Sequence, residues 1–337
     1  MKKLLFSVLL IILGFGLGFL SSDYLKRENS TSIIPFKPRI LDKYTIENLS
    51  KAEVSVGKIK IGETLKEDKK FSSSSFSWSF DPTFEGKTAK KVSGLINVPK
   101  GTGPFPVIVM FRGYVDQKTY QTGDGTKRGG EYFAQNGFIT IAPDFLGYGE
   151  SDKESSDIFE SRFQTYTTVV SLINSLEKYE LPNNLWDGKN IFIWGHSNGG
   201  HLALATLEIT GKSYPTVLWA PVSQSFPYSI LYYLDETEDS GKLIIQKLAD
   251  FFDLYGPKLY SITNYFGQIN KETLIQLQQG TGDTSVPLRW STNLSKILTD
   301  EGLKVNYFTY VGADHNLQPN WNEVIKRDLQ FFLKNLK

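Results

Sequence analysis

The sequence predicts an α/β fold, in which helices cover both faces of a doubly wound, mostly parallel sheet. Two observations indicate this fold class. Short apolar runs recur from Pro106 onwards and are nearly continuous in hydrophobicity, as expected of strands covered on both faces. Stretches with helical spacing separate these runs, and strands that alternate with helices form parallel sheets. An active site is then expected at the carboxyl ends of the strands.

The composition narrows the class of protein. Of the 337 residues, 40% are hydrophobic and 22% charged, which suffices for a large core. Lys and Arg number 37 against 36 Asp and Glu, and this balance argues against a nucleic-acid-binding protein. The absence of cysteine excludes disulfides and cysteine-ligated zinc. Two of the three histidines flank one tight turn, so we do not expect a three-histidine metal site. We also expect no organic cofactor.

The N-terminus predicts a membrane segment. Residues 4–20 carry no charge, and a helix of this length reaches about 25 Å, the short end of a membrane span. We expect an uncleaved signal anchor at 1–22, followed by a polar tether at 23–43. Lys2 and Lys3 favour an inside N-terminus, which would anchor the protein to the membrane with its globular part exported. The alternative is a cleaved signal peptide and a secreted protein.

Residues 44–337 are expected to form one domain. Alternation at 53–61 and 74–80, and a β-rich run that ends at Pro99, predict antiparallel N-terminal strands beside the larger sheet. The strands of that sheet are predicted at 106–111, 138–143, 191–195, 216–221, 273–280 and 304–310. Helical spacing predicts helices at 128–137, 159–179, 197–211 and 320–336.

The segment 222–270 interrupts this alternation. It is rich in Tyr and Phe and longer than a plain crossover between parallel strands requires. We interpret it as a mostly helical lid insertion over the strand ends. The alternative is a longer crossover that packs on the edge of the sheet.

A serine lies between glycines where the predicted strand at 191–195 meets the following helix. Gly195, Ser197 and Gly199 form the pattern G-x-S-x-G. A strand-to-helix turn this sharp strains the backbone of the serine and lifts its hydroxyl above the sheet. The N–H group of Asn198 would then be free to stabilise an oxyanion. The alternative is a glycine-rich turn with an unreactive serine, but the strand and helix around the pattern favour a nucleophile.

A serine hydroxyl needs a base to become a good nucleophile. His315 follows the predicted strand at 304–310, so it lies at a carboxyl end from which it can reach Ser197. His196 is adjacent to Ser197, and neighbouring side chains on such a turn diverge. His201 lies on the following helix. We therefore predict that His315 is the base and that the other two histidines are structural.

The imidazole needs an acid that fixes its tautomer and stabilises its cation. Asp283 follows the predicted strand at 273–280 and so lies at the same end of the sheet. Asp314 is the competitor, but sequence neighbours rarely make the required in-plane contact, which favours Asp283. The order Ser197, Asp283, His315 is that of α/β-hydrolases.

Four stretches carry a resemblance to a known family: "GHSNGGHLAL", "APDFLGYGESD", "GTGDTSVP" and "GADHNL". Residues from about Lys91 to Lys337 resemble the catalytic domain of the prolyl oligopeptidase family, serine peptidases of the α/β-hydrolase superfamily. The resemblance implies that Ser197, Asp283 and His315 form a triad that hydrolyses the amide bonds of peptides, with small esters as alternative substrates. It also implies that the backbone N–H of Tyr114, in "FRGY", is the second oxyanion donor.

Two further readings stay open at the level of the sequence. Many relatives have a His-Gly-Gly run where this chain has "FRGY", and the tyrosine is similar to that of some acetyl esterases, so a carboxylesterase or acetyl esterase of the same fold is the first alternative. A membrane-tethered binding protein on a hydrolase scaffold is the second, although a pure binder has no use for all three triad residues. The resemblance also implies that Asp144, in "APDFLGYG", fixes its loop by hydrogen bonding rather than taking part in catalysis.

Overall fold

The computed structural model describes residues 38–179, 181–237 and 239–337. Arg39–Lys337 form one compact unit, so residues 39–43, which the sequence assigns to the tether, belong to it. Leu41 is buried in its core. The predicted anchor at 1–22 and the tether up to residue 37 lie outside the described residues. Among the helices that are described, none is long and apolar enough to cross a membrane.

A single mixed sheet organises the described residues. Its strands follow the order β1-β2-β3-β5-β4-β6-β7-β8-β9. Strands β4 to β9 are parallel to one another, whereas β1, β2 and β3 are antiparallel and β3 pairs antiparallel with β5. The strands are β1 (Lys60–Glu67), β2 (Phe71–Phe80), β3 (Lys90–Pro99), β4 (Phe105–Phe111), β5 (Ile139–Pro143), β6 (Trp186–His196), β7 (Thr216–Trp219), β8 (Leu274–Gly280) and β9 (Lys304–Tyr310). The predicted fold class and antiparallel flank are confirmed.

Helices pack on both faces of the sheet. They are α1 (Ile46–Lys51), α2 (Lys127–Ala134), α3 (Ile158–Tyr179), α4 (Asn198–Thr210), α5 (Tyr228–Leu231), α6 (Lys242–Phe252), α7 (Leu288–Asp300) and α8 (Trp321–Lys334). Along β4, Val107 and Val109 face a core that includes α3 and α4, whereas Ile108 and Met110 face a core that includes α2 and α8. This alternation follows from the two-residue period of a strand.

The predicted strand at 53–61 is largely absent, and a helix that the sequence did not indicate precedes it. Ile46–Lys51 is a helix, because Thr45 caps its first turn by accepting a hydrogen bond from the Asn48 amide, and Ile46 and Leu49 are buried on one side. The following segment passes so close to β2 that a Cβ on Gly57 would lie 2.1 Å from the Ser79 carbonyl oxygen. The strand therefore begins only at Lys60, because tertiary packing outweighs the local alternation.

The segment 222–270 contains α5, α6 and several short 3₁₀ turns, as its predicted helical character requires. It packs against α3 through aromatic rings: the Phe159 ring lies 5.1 Å from that of Phe251 and 5.8 Å from that of Phe226. It also reaches the loop after β8, where the Tyr233 hydroxyl donates to the Ser285 carbonyl over 3.2 Å. The lid function itself stays a prediction.

Candidate active site

Ser197 lies between β6 and α4 in a strained conformation, with φ 56° and ψ −120°. The two glycines of the pattern permit this turn. A Cβ on Gly195 would lie 2.4 Å from the Gly199 carbonyl oxygen, and a Cβ on Gly199 would lie 1.9 Å from that of Phe111. The chain order reverses on either side of β4, since β5 and β6 are its two neighbours. Ser197 thus follows β6 at the switch point of the sheet, where α/β folds bind ligands.

The loop after β4 approaches Ser197 closely. An ideal Cβ on Gly113 would lie 3.0 Å from Ser197 Cβ and 3.5 Å from its Oγ, so a side chain there would crowd the serine. Tyr114 and Asn198 both line one small cavity beside this loop. Within the part of the chain that the structure describes, neither backbone amide donates a hydrogen bond to another residue. Both N–H groups remain available for an oxyanion, with the N-terminus of α4 adding favourable polarity.

Asp283 and His315 are hydrogen-bonded, with 2.8 Å between Asp283 Oδ2 and His315 Nδ1. The Asp283 side chain is fully buried, whereas that of His315 is 20% exposed. Oδ1 accepts from the amides of Ser285 and Val286, and Gln279 Nε2 donates to Oδ2 over 2.9 Å. Burial by itself would raise the pKa of Asp283, but these hydrogen bonds, the one from His315 foremost, outweigh it and lower the pKa.

Asp314 has a different role from Asp283. Its Oδ1 accepts from the backbone amides of Asn316 and Gln318, at 2.9 and 2.8 Å, and so shapes the loop that carries His315. Because the Asp314 carboxylate is engaged with its own loop, Asp283 is the better candidate for the partner of the His315 imidazole.

His196 positions the loop that carries His315. Its Nε2 lies 2.9 Å from the His315 carbonyl oxygen, and the two rings are 4.6 Å apart. A carbonyl only accepts, so Nε2 carries the proton. Burial, then the charge of His315, lowers the pKa of His196 to about 4. The sequence indicates a structural residue here but not this contact, which joins β6 to the loop after β9.

His201 is held inside the protein. Its Nδ1 lies 3.0 Å from the Val222 carbonyl oxygen, to which it donates, so its Nε2 accepts from the Tyr166 hydroxyl 2.8 Å away. Burial lowers the pKa of His201 to about 3, and the ring is neutral. Within the described ranges, no group of three or more His, Cys, Asp or Glu side chains could hold a metal ion.

Two residues fix the loop that carries Tyr114. The Asp144 carboxylate accepts from the hydroxyls of Ser93 at 2.6 Å and Tyr120 at 2.7 Å. The Arg112 guanidinium lies 4.1 Å from the centre of the Tyr148 ring and donates to the carbonyls of Gly113 and Asp144. Asp144 therefore makes the loop contacts that the resemblance implies. Sequence reasoning missed Arg112, whose only signal is its place directly after a buried strand.

The structure thus gathers the candidate residues at one edge of the sheet. Ser197 follows β6, Asp283 follows β8 and His315 follows β9, and the carboxyl ends of parallel strands meet at the same edge. His315 contacts Asp283 and His196, the residue before Ser197. No hydrogen bond is made between Ser197 and His315 among the described contacts. The arrangement is that of an α/β-hydrolase.

The comparisons with known proteins agree with this class. The chain belongs to the prolyl oligopeptidase family, whose model matches residues 128–337. Its fold is similar to that of acetyl xylan esterase 1 from Thermoanaerobacterium sp., with a TM-score of 0.55 and 17% identity over 88% of this chain and 94% of that one. It is also similar to dipeptidyl peptidase 4 from Porphyromonas gingivalis, with a TM-score of 0.53 and 16% identity over 86% of this chain but 37% of that one. Fold and family place the chain among the serine hydrolases.

Two curated relatives also match part of the sequence. Both are uncharacterized 31.7 kDa proteins from the traX-finO intergenic region of Escherichia coli, 29% and 30% identical over 123 residues. The match spans 36% of this chain and 40% of each relative.

Proposed function

We propose that the protein hydrolyses an amide or ester bond through an acyl-enzyme on Ser197, with His315 as base and Asp283 as its carboxylate partner. The observation that carries the proposal is the 2.8 Å hydrogen bond between Asp283 and His315, at the same edge of the sheet as the strained Ser197 turn. A carboxylate only accepts, so His315 carries its proton on Nδ1, and the lone pair of Nε2 is left for the serine hydroxyl.

The reaction runs in two steps. Ser197 Oγ attacks the carbonyl carbon and gives its proton to His315, and the amides of Tyr114 and Asn198 stabilise the oxyanion. His315 then protonates the leaving amine or alcohol, which departs and leaves an ester on Ser197. Water, deprotonated by His315, cleaves this ester and restores the free serine. Each proton that His315 accepts is returned within the same half-reaction, so no cofactor is consumed.

Peptide bonds are the first candidate substrate, because the matched family is one of peptidases. Esters of small acyl groups are the second. Two observations favour them: the fold of the acetyl xylan esterase is matched over 94% of its length, and the cavity beside Tyr114 and Asn198 measures about 150 Å³, the size of a small group. In either case the segment 222–270 is the proposed lid, supported by its contact with the loop that carries Asp283.

The test is labelling by a fluorophosphonate probe, followed by a substrate panel. The probe should label the wild type and a Ser213→Ala control, which lies before β7 at the opposite edge of the sheet. It should not label Ser197→Ala, whose folding is checked by circular dichroism. Aminoacyl coumarin amides and 4-nitrophenyl esters of short and long acids then separate peptidase from esterase. Normal labelling or turnover by Ser197→Ala would refute the proposal.

Residues 1–22 are proposed to anchor the protein in a membrane, with the hydrolase domain on the exported side. Support comes from the uncharged stretch at 4–20 and the two lysines before it. Expression of the full chain with a reporter at its C-terminus tests this. Recovery in the membrane fraction, with the reporter accessible from outside, is expected. Recovery in the medium would instead indicate the cleaved signal peptide.

A further inference from the structure

One small cavity collects polar atoms that have no partner. Among the described residues, ten buried side-chain nitrogen or oxygen atoms lack a hydrogen bond. Three of these, Arg112 Nε, Arg162 Nε and Gln164 Oε1, belong to residues that line the 150 Å³ cavity beside Tyr114. A buried polar group without a partner costs about 1–3 kcal/mol. The two arginine nitrogens are donors, which an anion can satisfy, whereas Gln164 Oε1 is an acceptor and needs a donor such as an N–H group of the ligand.

The cavity has a surplus of positive charge. Arg112 donates to two backbone carbonyls but to no carboxylate, and no described residue forms an ion pair with Arg162. Burial lowers the pKa of Arg162, as expected where no anion compensates. Glu154 is the one carboxylate among the lining residues. It is exposed and already accepts from Ser161 and Gln117. Among the described residues, the two arginines of the cavity therefore lack a negatively charged partner, which an anionic ligand would supply.

The position of the cavity identifies which half of a substrate it would hold. Its lining includes Gly113, Tyr114 and Asn198, which surround the proposed oxyanion site, but neither Asp283 nor His315. A leaving group must lie next to His315 in order to receive its proton. The occupant of the cavity therefore belongs to the acyl side of the scissile bond.

We propose that Arg162 is a specificity residue that binds a carboxylate on the acyl group of the substrate. An apolar cavity of about 150 Å³ holds a ligand the size of benzene, so roughly six non-hydrogen atoms fit beyond the scissile carbonyl. A glutaryl ester satisfies this limit, and so does the side chain of a Glu or Asp residue before the scissile bond. A guanidinium binds a carboxylate through two parallel hydrogen bonds, which explains the choice of arginine. The inference rests on the proposed function.

The experiment compares matched acidic and neutral substrates on the full chain. The pairs are N-acetyl-glutamyl against N-acetyl-glutaminyl coumarin amide, and 4-nitrophenyl glutarate monoester against 4-nitrophenyl pentanoate, with spontaneous hydrolysis subtracted. The wild type should favour the acidic member in kcat/KM by about 10- to 100-fold, as expected of a charge-assisted hydrogen-bonded pair. Arg162→Gln should lose this preference for the acidic substrate, and Arg162→Lys should keep part of it.

Lys178→Gln is the matched control. It removes the same charge from the same helix, about 24 Å further along α3, and should keep the wild-type ratio. Thermal unfolding shows whether each variant is folded. A wild-type ratio near one, or an Arg162→Gln ratio equal to that of the wild type, overturns the inference.

A second measurement needs no turnover. Free glutarate should slow fluorophosphonate labelling of the wild type more than pentanoate does, and Arg162→Gln should abolish the difference. Normal labelling without this difference overturns the acidic specificity alone and leaves the serine hydrolase proposal in place. Absence of labelling overturns both proposals, since Ser197 is then not reactive.

Discussion

The most informative perturbation is Asp283→Asn, because it changes one atom of the proposed triad. In the wild type, Asp283 Oδ2 accepts a hydrogen bond from the Nδ1–H group of His315. An asparagine amide at this position donates instead, which favours the tautomer that carries its proton on Nε2. The imidazole then has no lone pair facing the serine hydroxyl, and the general base is lost although every group remains in place.

The substitution should affect both catalysis and stability. A wrong tautomer in a triad lowers kcat by about 10⁴-fold. The stability effect is smaller, because the asparagine oxygen can still accept from the amides of Ser285 and Val286. Its amide nitrogen, however, faces Gln279 Nε2, and the Gln279 side chain is fixed by the Ser291 hydroxyl bound to its Oε1. Two opposed donors cost about 1–3 kcal/mol.

The assay follows kcat/KM on the best substrate of the panel, with thermal unfolding measured in parallel. Asp314→Asn is the matched control, since the same chemical change occurs one residue before His315 and its Oδ1 can still accept from Asn316 and Gln318. We expect Asp283→Asn to be folded and nearly inactive, and Asp314→Asn to stay within about tenfold of the wild type. The reverse pattern, or an active Asp283→Asn variant, would refute the assignment of the acid.

Three further predictions concern stability. Burial raises the pKa of Asp328 to about 7, although its hydrogen bonds act to lower it. An unfolded Asp has a pKa of about 3.9, so the folded protein binds this proton more tightly than the unfolded chain does. The free energy of unfolding should therefore fall by as much as about 4 kcal/mol between pH 4 and 7. Denaturant unfolding across this range checks the sign, and Asp328→Asn should flatten the profile. Gly199→Ala places a Cβ 1.9 Å from the Phe111 carbonyl oxygen and should abolish soluble folded protein, whereas Gly256→Ala, with its nearest contact at 3.8 Å, should fold normally. Both carboxyl oxygens of Glu208 are buried without partners, so Glu208→Met should raise the free energy of unfolding by about 1–3 kcal/mol; a lower melting temperature would contradict this.

Much of the fold was predictable because its signals are local. The strand at 304–310 was predicted to the residue, and the helix at 159–179 to within one residue at its start. The strand is rich in β-branched and aromatic residues, and the helix is a long run without glycine or proline, so both signals lie within the segment itself. Helix α1 was missed because its six residues carry little periodicity, and burial of Ile46 and Leu49 by distant elements decides its conformation.

The sequence by itself determined the Ser197 turn and the order of the candidate triad, because the turn depends on glycines two positions away and the order on which strand each residue follows. The tertiary structure bears out the predicted partner of His315 and adds contacts that the sequence did not indicate. Asp283 pairs with His315 while Asp314 turns to its own loop, His196 joins two loops, and Arg162 shares a cavity with Tyr114. These contacts join residues far apart along the chain, and only the packing of helices against the sheet brings them together.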